Sequence, residues 1–135
     1  MTQEEKQLLL KDLCVRLPYG VKFLRESWNF EWDQEMSVIE VLENIDKDGY
    51  INHTMIYRVE DIKPYLRPLS SMTEEEKNEF HKLRFIHVNY GLEPLQCVLS
   101  VNEIDWLNAH HFDYRGLIEK GLAIAVTKEN NPYEN

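Results

Sequence analysis

The feature that most constrains the fold is that the apolar periodicity changes along the chain. Up to residue 17, apolar side chains recur at helical spacing, whereas residues 21–57 are rich in β-branched and aromatic residues, partly at a period of two. From residue 71 onward, helix-capping patterns return. Helical and strand segments that are segregated in this way are typical of an α+β fold.

The first segment has the pattern of an amphipathic helix that ends at residues 18–20. Thr2 and Glu5 form a capping box, because their side chains can satisfy amides that the first turn leaves unpaired. A buried face is predicted from four residues at positions i, i+3, i+4 and i+7: Leu10, Leu13, Cys14 and Leu17.

The next segment predicts a small curled antiparallel sheet, or a Src-homology-3-like barrel, of three or four strands. An extended run is expected to start at 21–24, and Trp28, Phe30 and Trp32 alternate with polar residues after it. Further strands are expected at 37–42 and 50–57, with Asp48-Gly49 as a hairpin turn between them. Pro64 and Pro68 cannot donate to a ladder, so residues 61–68 are predicted to leave the sheet.

The second half predicts helices packed on this sheet. Capping boxes predict one helix from residue 71 to 83 or beyond that buries Phe80 and Leu83, and another over 103–110. Between them, residues 94–99 read as a short strand. A last short helix over 114–120 would begin at Asp113. The boxes are Ser71 with Glu74, Thr73 with Glu76, and Ser100 with Glu103.

The chain is expected to be one compact protein with two packed parts, 1–69 and 70–127, and a frayed tail, 128–135. Its 15 basic and 24 acidic residues give a net charge of −9, which favours solubility and opposes binding to nucleic-acid phosphates. Its start lacks the pattern of a signal peptide, and no apolar run is long enough for a membrane span, so a cytoplasmic location is expected.

One short stretch resembles the calcium loop of the EF-hand family. In residues 44–52, Asn44, Asp46 and Asp48 occupy the first three ligand positions around Gly49. The twelfth position, which needs a bidentate glutamate, is Met55. The alternative is an acidic Asp-Gly hairpin turn, and the sequence favours it.

A second candidate site is the cluster of His110, His111 and Asp113, which a metal-dependent enzyme could use. Adjacent histidines on a helix point about 100° apart, so they seldom bind one ion together. The alternative interpretation places the imidazoles at a helix end, packed against aromatic rings.

Cys14 and Cys97 are the two cysteines, and neither has a histidine beside it in the sequence. Both are predicted to be buried thiols rather than nucleophiles. The glycines are scattered and match no phosphate-binding loop. The sequence therefore predicts no cofactor.

Three segments resemble short uncharacterised proteins that gut anaerobic bacteria and their phages or prophages encode. The segments are DIKPYLRPLSSMTEEE at 61–76, WLNAHHFDYRGLIEKGL at 106–122, and the opening helix through Gly20. Residues 21–57 depart most from these proteins. The resemblance implies a mobile-element context, and it carries over no catalytic residue.

We therefore expect a non-enzymatic accessory protein that binds another protein. Trp28, Phe30 and Trp32 are candidate contact residues, because so many rings cannot all be buried in a small chain. The alternatives are a nucleic-acid-associated small barrel and the metal-dependent enzyme at His110, His111 and Asp113. The sequence does not specify the partner or the oligomeric state.

Overall fold

The computed structural model describes residues 1–29, 34–54, 56–89 and 101–134, with side chains for all of these except 27–29, 34–35 and 84–89. Within these residues, one helix, three strands, two helices and a last short strand follow one another along the chain, with short 3-10 turns between some of them. In order, the elements are α1 Gln3–Arg16, β1 Lys22–Asn29, β2 Gln34–Val41, β3 Ile62–Leu66, α2 Glu74–Asn89, α3 Val101–Ala109 and β4 Ile124–Ala125.

The fold is α+β, as predicted, but the sheet is open and mixed. Its strand order is β2-β1-β3-β4. β1 pairs antiparallel with both β2 and β3, whereas β3 and β4 are parallel. The barrel alternative is wrong because β2 and β4 lie at opposite ends of this order and do not close on each other.

β3 corrects the prediction that residues 61–68 leave the sheet. Pro64 pairs with Phe23 of β1, in the middle of the sheet. The Leu42 N–Val21 O hydrogen bond and the register show that Phe23 points its backbone groups towards β2. Its partner Pro64 therefore points its backbone away from β1, towards β4. The pairing with β4 begins one residue later, at Tyr65, so the missing N–H breaks no ladder hydrogen bond.

The predicted strand over 50–57 is also wrong. This stretch forms isolated bridges, Ile45 with Ile51 and Tyr50 with Arg58, and no continuous strand. Asn52 and His53 have positive φ angles of 50° and 60°, which interrupt an extended backbone. The predicted Asp-Gly turn is confirmed, since Gly49 has a φ of 86° and its amide donates to the Asp46 carbonyl.

Helix α1 begins at the predicted capping box, which is confirmed: Glu5 N lies 3.1 Å from Thr2 Oγ1 and Thr2 N lies 3.0 Å from Glu5 Oε1. The helix buries a face that is rotated from the predicted one. Cys14 is exposed, so its assignment as a buried thiol is wrong. The residues that are buried are Leu9, Asp12, Leu13 and Arg16.

Helix α2 begins with the predicted box of Thr73 and Glu76, whose side chains and amides pair reciprocally at 3.2 and 2.9 Å. Ser71 instead donates to the Pro68 carbonyl. Phe80 and Leu83 are half-buried. The predicted strand over 94–99 and Ser100 lie outside the described residues.

Helix α3 matches the predicted helix within two residues at its start and one at its end. The short helix predicted after it is wrong, because residues 117–121 form turns. Asp113 nevertheless caps these turns as expected: its carboxylate accepts from Leu117 N at 3.0 Å and from Ile118 N at 2.9 Å.

The hydrophobic core lies where α1 meets β1, β3 and the turns before β4. The division at residue 69 stays a prediction, although β4 of the second part pairs with β3 of the first. The fully buried core side chains include Leu9, Leu13, Val21, Phe23, Leu66 and Leu117.

The tail is not frayed at Tyr133. The Tyr133 hydroxyl donates to the Tyr65 carbonyl at 2.7 Å and accepts from Lys22 N at 3.0 Å. It thereby bridges β1 and β3 just beyond the Phe23–Pro64 end of their ladder. Lys22 Nζ also donates to the Pro132 carbonyl. The polar sequence of the tail gave no sign of this long-range hydroxyl contact, and the expectation of a frayed tail over 128–135 otherwise stays a prediction.

Candidate functional site

The acidic turn uses its carboxylate to fix the backbone. Asp46 Oδ1 accepts from Asp48 N and Tyr50 N, each at 2.9 Å. Met55, the position at which an EF-hand needs its glutamate, lies outside the described residues. In the part of the chain that the structure describes, no group of three histidine, cysteine or acidic side chains could hold a metal ion. The structure thus gives Asp46 a turn-forming role.

His110, His111 and Asp113 do not converge. The His110 ring stacks on Trp106 with centroids 4.0 Å apart, and its Nδ1 lies 2.9 Å from the Trp106 carbonyl oxygen. Asp113 faces the turn amides described above. The three side chains therefore point to three different partners, which does not favour the metal-dependent enzyme.

His111 has the most perturbed imidazole of the described residues. Its φ is 63°, and its ring stacks on Tyr133 at a centroid distance of 3.8 Å. Burial, followed by the positive charge of Arg16, lowers the pKa of His111 from 6.5 to about 4. Its Nδ1 is buried and has no hydrogen-bond partner in the described chain. His111 is thus a neutral packing residue near pH 7.

A cleft of about 440 Å³ lies beside these histidines. On its wall, Arg67 donates to both Glu76 oxygens at 2.7 Å and lies 4.1 Å above the Phe112 ring. The hydrogen bonds from Arg67 lower the pKa of Glu76 to about 2. The lining residues are Arg67, Thr73, Glu75, Glu76, His110, His111, Asn131, Tyr133 and Glu134.

The polar side chains that line this cleft already have structural partners. His110 Nδ1 contacts the Trp106 carbonyl and the His111 ring stacks on Tyr133. Arg67 donates to the Glu76 carboxylate. These contacts tie helices α2 and α3 to the neighbouring loops.

A buried ion-pair network that the sequence interpretation missed joins α1 to the C-terminal loop. Arg16 Nε lies 2.7 Å from Asp12 Oδ2, and both side chains are fully buried. Arg16 Nη2 donates to the Phe112 carbonyl at 2.7 Å, and Arg115 Nε lies 3.1 Å from Asp12 Oδ1. The i, i+4 spacing of Asp12 and Arg16 signalled a pair, but it did not signal burial.

The arginines give no phosphate-binding surface in the described part of the chain. Arg25 pairs with Glu40 and stacks on Tyr57, and Arg58 contacts Tyr50. Arg16, Arg67 and Arg115 are engaged as described above. Every arginine whose side chain is described therefore has a carboxylate or aromatic partner, which does not favour the nucleic-acid alternative.

The open edge of the sheet is strand β2. Leu42 N donates to the Val21 carbonyl at 2.8 Å, so the even-numbered residues at this end of β2 point their backbone groups towards β1. The backbone N–H and C=O groups of the intervening residues, Ser37, Ile39 and Val41, consequently point away from the sheet. Val41 O accepts from Asn52 Nδ2 at 2.8 Å, and no other described strand pairs with this edge.

The side chains along this edge are apolar and exposed. Ile39 is 51% exposed and Val41 39% exposed, and Ser37 lies on the same face. Natural sheets usually protect such an edge with lysine, proline or a bulge. Residues 37, 39 and 41 include no charge and no proline, so this stretch of the edge lacks those protective features.

The predicted aromatic contact residues adjoin this edge in sequence. Trp28 belongs to β1 and pairs with Glu35 of β2, but its side chain is outside the described set. Phe30 and Trp32 lie outside the described residues altogether, as does Cys97. The prediction that Trp28, Phe30 and Trp32 form a contact patch therefore stays a prediction.

Comparison of the chain with protein-family models, curated proteins and solved structures finds no match. None of the helices in the described segments combines the length and hydropathy needed to cross a bilayer.

Proposed function

We propose that the chain is a non-enzymatic protein-interaction module that binds its partner by strand addition at β2. The observation that carries the proposal is the edge at Ser37 and Ile39, whose backbone groups point away from β1 and have no strand partner among the described residues. An extended segment that pairs with such an edge gains main-chain hydrogen bonds, and alternate side chains give specificity.

The rest of the molecule supports a binding role. The histidines and acids that could suggest catalysis pack against rings or pair with backbone amides and an arginine. The outer face beside the edge remains apolar at Ile39 and Val41. The accessory role in a phage or other mobile element, which the sequence resemblance implies, is part of this proposal.

A charge on the edge tests this function. Ile39→Lys places a charge on the sheet face directly beside the position of the incoming strand, and Val101→Lys is the matched control because Val101 is 75% exposed on α3. Each variant is used to capture partners from cells that express the protein naturally. We expect the control to capture the same protein as the parent chain and Ile39→Lys to lose it.

Hydrogen exchange on the captured complex locates the contact. We expect the Ser37 and Ile39 amides to exchange more slowly in the complex than in the unbound protein, since they gain hydrogen-bond acceptors. Equal capture by Ile39→Lys, or unchanged exchange at these two amides, would overturn strand addition at β2.

A further inference from the structure

We propose that the strand that β2 accepts is a basic segment, an inference that rests on the strand-addition function above. Residues 30–48, which contain β2, include one cation, Lys47, and seven acids. A partner that brings lysine or arginine to this region reduces the repulsion, whereas an acidic partner adds to it. The seven acids are Glu31, Asp33, Glu35, Glu40, Glu43, Asp46 and Asp48.

Two carboxylates next to the edge are positioned to meet such cations. Glu26 pairs with Ser37 across β1 and β2, so its side chain lies on the same sheet face as Ile39. Glu43 is exposed just beyond the end of β2. Neither has an ion-pair partner within the described residues. By contrast, Glu40 is already paired with Arg25.

Charge also distinguishes this occupant from the other possible ones. A second copy of the chain would bring the same acidic β2 segment against this one, and each chain has a net charge of −9. A nucleic acid would place phosphates in the same acidic region. The basic segment is the occupant that this surface favours.

Short peptides test the inference directly. Three acetylated peptides of equal length alternate valine with lysine, with serine or with glutamate, and their affinities for the full chain are measured by calorimetry. We expect the lysine peptide to bind on the order of tenfold more tightly than the serine peptide, and this advantage to shrink as salt rises. Tighter binding of the glutamate peptide, or equal binding of the lysine and serine peptides, would overturn the inference.

Variants of the acidic residues assign the effect to the surface. Glu26→Gln/Glu43→Gln should weaken the lysine peptide several-fold and leave the serine peptide unchanged. The control is Glu119→Gln/Glu129→Gln, which removes two exposed acids elsewhere. Equal weakening by the control pair would mean that net charge alone attracts the peptide, and would overturn the assigned surface.

The edge variant separates this inference from the function on which it rests. If Ile39→Lys abolishes binding of the serine peptide and the lysine peptide binds no better, strand addition stands and the basic preference is wrong. If no peptide binds, or Ile39→Lys binds all of them as the parent chain does, strand addition itself is overturned.

Discussion

His111 couples the C-terminal tail to the body of the protein through a neutral ring. It stacks on Tyr133, whose hydroxyl bridges Lys22 and Tyr65. The charges that act on its imidazole are cationic: Arg16, His110, Arg67 and Lys22. A proton added to this ring would thus be both desolvated and repelled.

We therefore expect acid to destabilise the protein at this residue. The folded pKa, about 4, is below the ordinary value of 6.5, so the unfolded chain binds this proton first as pH falls. The contribution is present above pH 6.5 and is lost as pH falls through 4. The full shift of the His111 pKa corresponds to about 3 kcal/mol of unfolding free energy. We expect a loss of about 1.5 kcal/mol, because water screens the partly exposed ring.

Urea unfolding across this pH range measures the effect. His111→Asn removes the titrating group and tolerates the positive φ, so its free energy of unfolding should depend less on pH between 6.5 and 4. Parallel pH profiles for the variant and the parent chain would show that His111 does not contribute.

Single residues were predictable from the sequence where their partners are near in the chain. The Thr2–Glu5 and Thr73–Glu76 boxes follow from a three-residue spacing. The roles of Tyr133 depend on contacts with residues about seventy and more than a hundred positions away. No local pattern specifies such contacts, so the tail was expected to fray.

At the scale of elements, α1 is held by a network that replaces part of its apolar face. Asp12 contacts both Arg16 and Arg115, and Arg16 also donates to Phe112 O. We expect Asp12→Asn to cost about 3–5 kcal/mol of unfolding free energy, because it leaves buried Arg16 without its counterion.

The double variant tests whether this cost comes from the pairing. Asp12→Leu/Arg16→Met removes both charges, so it should cost much less than the sum of the two single changes. Glu74→Gln, which breaks the exposed contact with Lys77, should cost about 0–1 kcal/mol. The two single variants and the double variant are all measured by urea unfolding. If the double variant loses as much unfolding free energy as the two single variants together, Asp12 and Arg16 are not a coupled pair.

Elements were predicted well where periodicity and caps agree, and poorly where tertiary pairing decides. Helices α1 and α2 each have a helical apolar pattern and a capping box in the sequence. The strand β3 was missed because Pro64 normally argues against a central strand, and only the late start of β4 makes it acceptable. The stretch 50–57 has strand-forming residues, but positive φ angles at Asn52 and His53 stop it from extending.

The whole molecule combines an acidic charge with an unprotected sheet edge. β2 presents Ile39 and Val41 to solvent, and the acids around it discourage pairing between copies that each have a net charge of −9. In the strand-addition function that we propose, this electrostatic repulsion would replace the lysines and prolines that usually protect a sheet edge.

Salt should therefore promote self-association through β2. At about 0.01 M ionic strength the repulsion extends over about 30 Å, whereas at about 1 M it is screened within about 3 Å. We expect sedimentation velocity to show a monomer at the lower strength and larger species at the higher one. Ile39→Lys should remain monomeric at both strengths, and Val101→Lys should behave as the parent chain does. Ile39→Lys alters the centre of the β2 edge and leaves the other exposed apolar residues in place. If salt still induces the same association in this variant, the self-association interface lies outside β2.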